Sequence, residues 1–292
     1  MRLAAILAPM GIRVCSMGWE QIAAQAPSDQ PPSAPPALIV ALAEDYGRKS
    51  ADLAWLCQGE RQTTVALLAQ AALTPEGLRT QLHYDIFNVI PDVLWDDPAC
   101  FERTFRGLLF PEEMFDIQSF VPNAALVKCF TITNLVEKRQ VADEIAALAR
   151  PYAVAQRRLH DIRLVIIELI NNALFHSFRD GEGQEKYSPR RFLQLEANDR
   201  VVLEAAMTDQ SIALAVEDNR GTISPREVLK YLQRQTTGEG IYDSHGRGFY
   251  LVSSIVDHLS VCLVPGQRAR VVAMSHAGKA PPIRTLNFYI SQ

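Results

Sequence analysis

Residues 165–176, Val-Ile-Ile-Glu-Leu-Ile-Asn-Asn-Ala-Leu-Phe-His, constrain this chain more than any other stretch. Its apolar residues fit a buried helix, yet two asparagines, which are poor helix formers, interrupt it. Glu168, Asn172 and His176 follow one another at four-residue spacing. On a helix that spacing stacks their side chains along one face. A polar stripe on an apolar helix costs free energy unless something polar lies against it. The stripe is therefore either a set of satisfied core hydrogen bonds or one wall of a site.

The chain has 292 residues, enough for two domains at roughly 100–200 residues each. With 48% apolar and 21% charged residues its composition is that of a globular protein. A formal net charge of −4 gives no global attraction to nucleic acid or to an anionic membrane surface. Cys15, Cys57, Cys100, Cys129 and Cys262 are scattered, which fits neither a zinc site nor a disulfide framework. Reduced thiols in a cytoplasmic protein are the expectation. The opening run is short, broken by Pro9 and followed by Arg13, so it reads as part of a domain and not as a signal peptide. No apolar run approaches the roughly 18 residues of a membrane span.

In residues 1–112 short apolar runs alternate with amphipathic stretches. Strands are expected at 12–15, 37–42, 64–68 and 86–90, with helices at 19–25 and 50–59. A Pro- and Ser-rich loop covers 26–36. Thr74-Pro75 and Asp97-Pro98 open further helices, each with a capping side chain before a proline at the first position. Alternating strands and helices imply a small α/β domain with a parallel sheet. Its order resembles the response-regulator receiver domain. The receiver's phospho-acceptor and switch positions fall at Ala41, Ala69 and Ile90, ahead of Pro91. The resemblance thus implies a degenerate receiver that takes no phosphate and serves docking or dimerisation. Residues 111–124 hold two prolines, several acids and little periodicity, and the linker is expected at 113–124.

From 125 to 292 the expected order is a strand (126–132), a helix from 137 to about 152, and a helix from about 159 to 178. An exposed loop and a hairpin across Thr208-Asp209-Gln210 follow, then an apolar helix at 252–258 and two β-rich segments at 259–274 and 284–290. The hairpin ends in Asp218-Asn219-Arg220-Gly221-Thr222, and Gly246-Arg247-Gly248 precedes the last helix. A Glu-x-x-x-Asn-Ala box on a helix (Glu168 to Ala173), a strand-terminal Asp-x-x-Gly and a Gly-x-Gly before a helix stand in that order. This order resembles the GHKL superfamily of gyrase, chaperone, histidine kinase and MutL-type ATPases, over residues 125–292. The resemblance implies an α+β Bergerat-type domain, with helices on one face of a mixed sheet, binding ATP and Mg²⁺. It implies Asn172 as the metal-holding residue and Glu168 as the residue that orients or deprotonates the nucleophile. Asp218 would accept a hydrogen bond from the adenine amino group. Gly221, Gly246, Arg247 and Gly248 would lie against the nucleotide.

Asn172-Ala-Leu-Phe-His176 and Gly246-Arg-Gly-Phe-Tyr-Leu251 look most like the anti-sigma-factor serine kinases. That closeness implies a protein partner, such as an anti-sigma antagonist or a sigma factor, and pairing of two copies through the ATPase domain. His160 stands eight residues before Glu168, on or next to the same helix, and so is no phosphoacceptor. One departure concerns the pocket: Arg220 and Thr222 occupy places where the family carries glycines. An arginine beside the adenine would stack on the base or crowd it out. Two functions follow: a regulator that transfers the γ-phosphoryl of Mg-ATP to a Ser or Thr of a partner, or an inactive adaptor that uses both domains as binding surfaces.

Overall fold

The computed structural model describes residues 38–42, 64–69, 74–91, 97–152, 159–188, 194–239, 247–277 and 284–291. The elements expected at 12–15, 19–25, 26–36 and 50–59 lie outside these residues. In the N-terminal part, β1 (Leu38–Leu42), β2 (Thr64–Ala69) and β3 (Asn88–Pro91) pair in parallel in chain order. Helix α1 (Pro75–Tyr84) is capped by Thr74, whose hydroxyl accepts from Gly77 N at 3.0 Å. Helix α2 (Pro98–Leu109) is capped by Asp97, which accepts from Cys100 N at 3.0 Å. Both caps use a short polar side chain to satisfy an otherwise orphaned amide ahead of a proline-started helix.

The remainder is one six-stranded mixed sheet in the order β4-β5-β6-β8-β7-β9, with β4 Leu126–Ile132, β5 Val201–Met207, β6 Ser211–Asp218, β7 His258–Val264, β8 Arg268–His276 and β9 Thr285–Ile290. Neighbours are antiparallel except β7 and β9, which run parallel. One face carries α3 (Glu137–Ala149), α4 (Leu159–His176), α5 (Pro225–Thr236) and α6 (Arg247–Ile255). Strand residues alternate between faces. Leu203, Ala205, Leu214, Val216, Val261 and Ala273 point into the core beneath these helices.

The helices were expected on one face alone. The opposite face is also covered, because the strands are apolar on both sides: β7 is buried at every position. Small residues there, Ala206, Ala213 and Ala215, leave room for Phe101, Phe105, Met114, Phe115 and Phe120. These come from α2, from the 3-10 turn Pro111–Phe115, and from Phe120 at the end of a second turn, Ile117–Ser119. Residues 113–124, expected as a linker, are therefore part of the fold. Met114, Ile117, Phe120 and Val121 are each at most 3% exposed. Acids and prolines hid this, since 3-10 turns do not show an α-helical period.

The three-stranded sheet also docks on the larger one. The Asn88 side chain donates to Phe288 O at 2.9 Å and accepts from Phe288 N at 2.8 Å, standing in for a strand beside β9. Leu78 of α1 is fully buried in the core of the larger unit, and Arg226 of α5 pairs with Asp85.

Candidate functional site

Helix α4 places the polar stripe. Val165, Ile166, Leu169, Ile170, Ala173 and Leu174 are buried against the sheet, while Glu168, Asn172 and His176 stay half-buried. Asn172, Ala173 and His176 line a cavity of about 110 Å³ between α4, the end of β6 and α5. Leu169, Val216, Ile223, Val228, Phe249 and Val271 make up its apolar part, and Arg179, Glu185 and Glu227 line it as well. A cavity of this order admits an aromatic ring. Of the three carboxylates that line it, Glu185, Asp218 and Glu227, only Asp218 at the end of β6 is buried.

Asp218 is 5% exposed and held from three sides. Its Oδ1 accepts from Arg220 N at 2.9 Å and Gly221 N at 3.0 Å, and its Oδ2 accepts from Ser177 Oγ at 2.8 Å. A carboxylate offers about four lone-pair sites, so Oδ2 keeps one for a donor in the cavity. Burial pushes this carboxyl above its ordinary 3.8, against the pull of these hydrogen bonds. Thr222 Oγ1 donates to Ser177 O at 2.9 Å and closes the same corner.

At the other end of the stripe, Gly248 in the first turn of α6 meets Glu168 and Asn172. A Cβ at Gly248 would stand 2.8 Å from Asn172 Oδ1 and 3.0 Å from Glu168 Oε2. Asn172 Nδ2 is buried and without a hydrogen-bond partner, a donor poised for an acceptor. Burial raises the Glu168 carboxyl, and Lys138 on α3 opposes that rise. Lys138 Nζ donates to Asn171 Oδ1 at 2.7 Å, so the neighbouring asparagine orients this ammonium. At the mouth, His176 Nδ1 lies 2.7 Å from Glu185 Oε1.

Residues 133–275 match the family model of the histidine kinase-like ATPase domain. The match supports a GHKL-type ATPase domain. Such a family implies ATP binding. No curated protein matches the chain. The residues present fit an adenine nucleotide. The apolar cavity suits the base, and Asp218 offers an acceptor at its floor. The unpartnered Asn172 amide offers a polar contact, and Gly248, without a Cβ, lets the start of α6 approach Asn172 and Glu168 closely. Among the described residues no three His, Cys, Asp or Glu side chains cluster as a metal site. Mg²⁺ needs none, because it keeps several waters and takes only one or two protein oxygens beside phosphate.

Of the residues singled out in the sequence, Glu168, Asn172, Asp218 and Gly248 come together along α4, the end of β6 and the start of α6. Gly246 lies outside the described residues, and Arg247 is exposed at the start of α6. Gly221 serves the site from behind. It has φ +60°, and its added Cβ would meet backbone atoms of Val264 and Arg268. Arg220 does not line the cavity. Its Nε donates to Asp199 Oδ1 at 3.1 Å and its Nη2 contacts the same oxygen. The pocket is therefore not filled by the arginine that the sequence set beside it.

Four contributors escaped the sequence reading: Ser177, Asp199, Lys138 and helix α5. Ser177 and Asp199 are single polar residues without a motif. Helix α5, however, carried a legible signal in Ser224-Pro225-Arg226-Glu227, and Ser224 Oγ does cap it by accepting from Glu227 N. It gives the cavity Glu227, Val228 and Tyr231. No helix of the described residues is long and apolar enough to cross a membrane.

Proposed function

We propose that residues 125–292 bind Mg-ATP and transfer its γ-phosphoryl group to a serine or threonine of a partner protein, in the manner of an anti-sigma-factor serine kinase. The observation that carries this is the single buried carboxylate, Asp218, at the floor of an apolar cavity whose rim leads along α4 to Asn172 and Glu168. An adenine amino group would donate to the remaining lone pair of Asp218. A guanine would set its carbonyl against that carboxylate and lose the bond, leaving buried polar groups unpaired. Asn172, with its amide turned about, would offer Oδ1 to Mg²⁺, which supplies charge neutralisation on the phosphates. Glu168 would take the proton of the attacking hydroxyl, and its raised carboxyl brings it nearer to working as a base at neutral pH. Phosphoryl transfer is mostly positioning and charge stabilisation, so these groups are sufficient chemistry.

The N-terminal three-stranded unit would be the degenerate receiver-like domain, a docking element in this reading. Supporting it, β1, β2 and β3 are parallel and consecutive. The adaptor reading drew on Arg220 as an obstruction, and the pairing of Arg220 with Asp199 removes that ground. Thermal denaturation of the full chain tests the proposal. A ligand at 100 times its dissociation constant adds about 2.7 kcal/mol of stability. Millimolar Mg-ATP should raise Tm, Mg-GTP should not, and Asp218→Ala should abolish the shift. An unchanged Tm with Mg-ATP would sink the nucleotide reading. Where ATP binds, Glu168→Ala should stop transfer to a partner and leave binding largely intact.

A further inference from the structure

Each residue of the Asp218-Asn219-Arg220-Gly221 turn is fastened to something different. Asp218 faces the cavity. Asn219 ties the turn to the start of β5, its Oδ1 accepting from Arg200 N at 2.8 Å and its Nδ2 donating to Asn198 O at 2.9 Å. Gly221 O accepts from Gly266 N at 3.1 Å in the β7–β8 turn. Arg220 is bound to Asp199, whose side chain is 1% exposed. That carboxylate is built for the task, since Lys186 Nζ lies 2.6 Å and Tyr187 Oη 2.5 Å from its Oδ2. These contacts leave Oδ1 to the guanidinium. None of Asp199, Arg220, Lys186 and Tyr187 lines the cavity.

Arg220 has a second carboxylate close by in the chain, that of Asp218. Its own backbone N–H already donates to Asp218 at 2.9 Å, so the side chain starts at the edge of the adenine site. A buried carboxylate without a cation gains much from a guanidinium. Asp218 is such a group. The geometry points to Asp199 as a positioning residue for the nucleotide pocket: by anchoring Arg220 it keeps that cation off the lone pair of Asp218 that would receive the adenine amine. This rests on the nucleotide reading above and adds to it a residue in no motif of the family. Without the anchor, Arg220 turns to Asp218 and competes with the base. A hydrogen bond to a charged group is worth about 1.5–3 kcal/mol, roughly ten- to hundredfold in affinity.

The test is isothermal titration of the full chain with Mg-ATP for the wild type, Asp199→Asn, Arg220→Gln and the double variant, with Tm as the check on folding. Asp199→Asn should bind at least about tenfold more weakly. Arg220→Gln should bind as the wild type does, and the double variant should recover that affinity although Asp199 is still missing. Recovery separates anchoring from a merely structural role. Wild-type affinity in Asp199→Asn, or a double variant as weak as Asp199→Asn, overturns the proposal. So does loss of affinity in Arg220→Gln, because the guanidinium would then be touching the nucleotide. If Asp199→Asn does not fold, Tyr187→Phe removes a hydrogen bond that orients the same carboxylate and so loosens the anchor. Its smaller loss should likewise vanish when Arg220→Gln is added, and a persistent loss refutes the idea. A second readout needs no nucleotide: the NMR signal of Arg220 Nε–H. With the anchor removed it should become sensitive to Asp218→Asn, and indifference there overturns the anchor even if the wild type fails to bind Mg-ATP.

Discussion

Gly221 is the residue whose replacement has the most calculable cost. Its φ of +60° is left-handed, and an added Cβ would point at backbone: Val264 O, Arg268 N at 2.8 Å and Arg268 O at 2.9 Å. The left-handed conformation costs an L-residue about 1–2 kcal/mol. Backbone cannot swing aside as a flexible side chain can, so overpacking adds about 1–3 kcal/mol. Gly221→Ala should therefore lose about 2–5 kcal/mol in total. With a urea m-value of about 3 kcal/mol/M, the unfolding midpoint falls by roughly 0.7–1.7 M. Chemical denaturation followed by circular dichroism measures this directly. The turn also carries the N–H that donates to Asp218 at 3.0 Å, so ATP affinity should fall as the carboxylate loses a partner. A Gly221→Ala chain within about 0.5 kcal/mol of wild type would refute the reasoning, because surface substitutions without such a constraint fall in that range.

Three further outcomes can be checked. Gly248→Ala should spare stability, since alanine is the better helix former. Calorimetric titration should nevertheless show weaker Mg-ATP binding, as the new methyl stands 2.8 Å from Asn172 Oδ1 and 3.0 Å from Glu168 Oε2. For Asp218 the sign follows from burial, which raises its carboxyl above the ordinary 3.8 in the fold. The native state then holds the proton more tightly than the unfolded chain. Its contribution to stability is present below 3.8 and lost as pH rises through the folded value. Melts of the ligand-free protein at pH 7 should accordingly show Asp218→Asn equal to or more stable than wild type, even as Mg-ATP affinity collapses. A clear drop in that Tm would contradict the assignment. Lys138 holds the Glu168 carboxyl down, so Lys138→Met should move the acid limb of the phosphoryl-transfer pH profile upward, and an unmoved limb would rule that charge out.

Sequence determined what depends on neighbours along the chain. The caps at Thr74 and Asp97, the hairpin across 208–210 and the four-residue stripe Glu168-Asn172-His176 are all local patterns, and each is present. The boxes at Asp218 and Gly248 were legible for the same reason, because a strand end or a helix start fixes their direction. What only the tertiary structure decided involves partners far apart in the chain. The segment 113–124 had the composition of a linker, yet Met114 and Phe120 fill the space over Ala206, Ala213 and Ala215. Small residues on a strand become a docking face only once another layer lies on them. Arg220 shows the same limit at the site itself. Sequence put it two residues from Asp218 and could only expect it beside the base. Its direction is set by the contact with Asp199, 21 positions away, a carboxylate buried among Lys186 and Tyr187. Local spacing fixes where a side chain starts, and the charge it meets across the fold fixes where it ends.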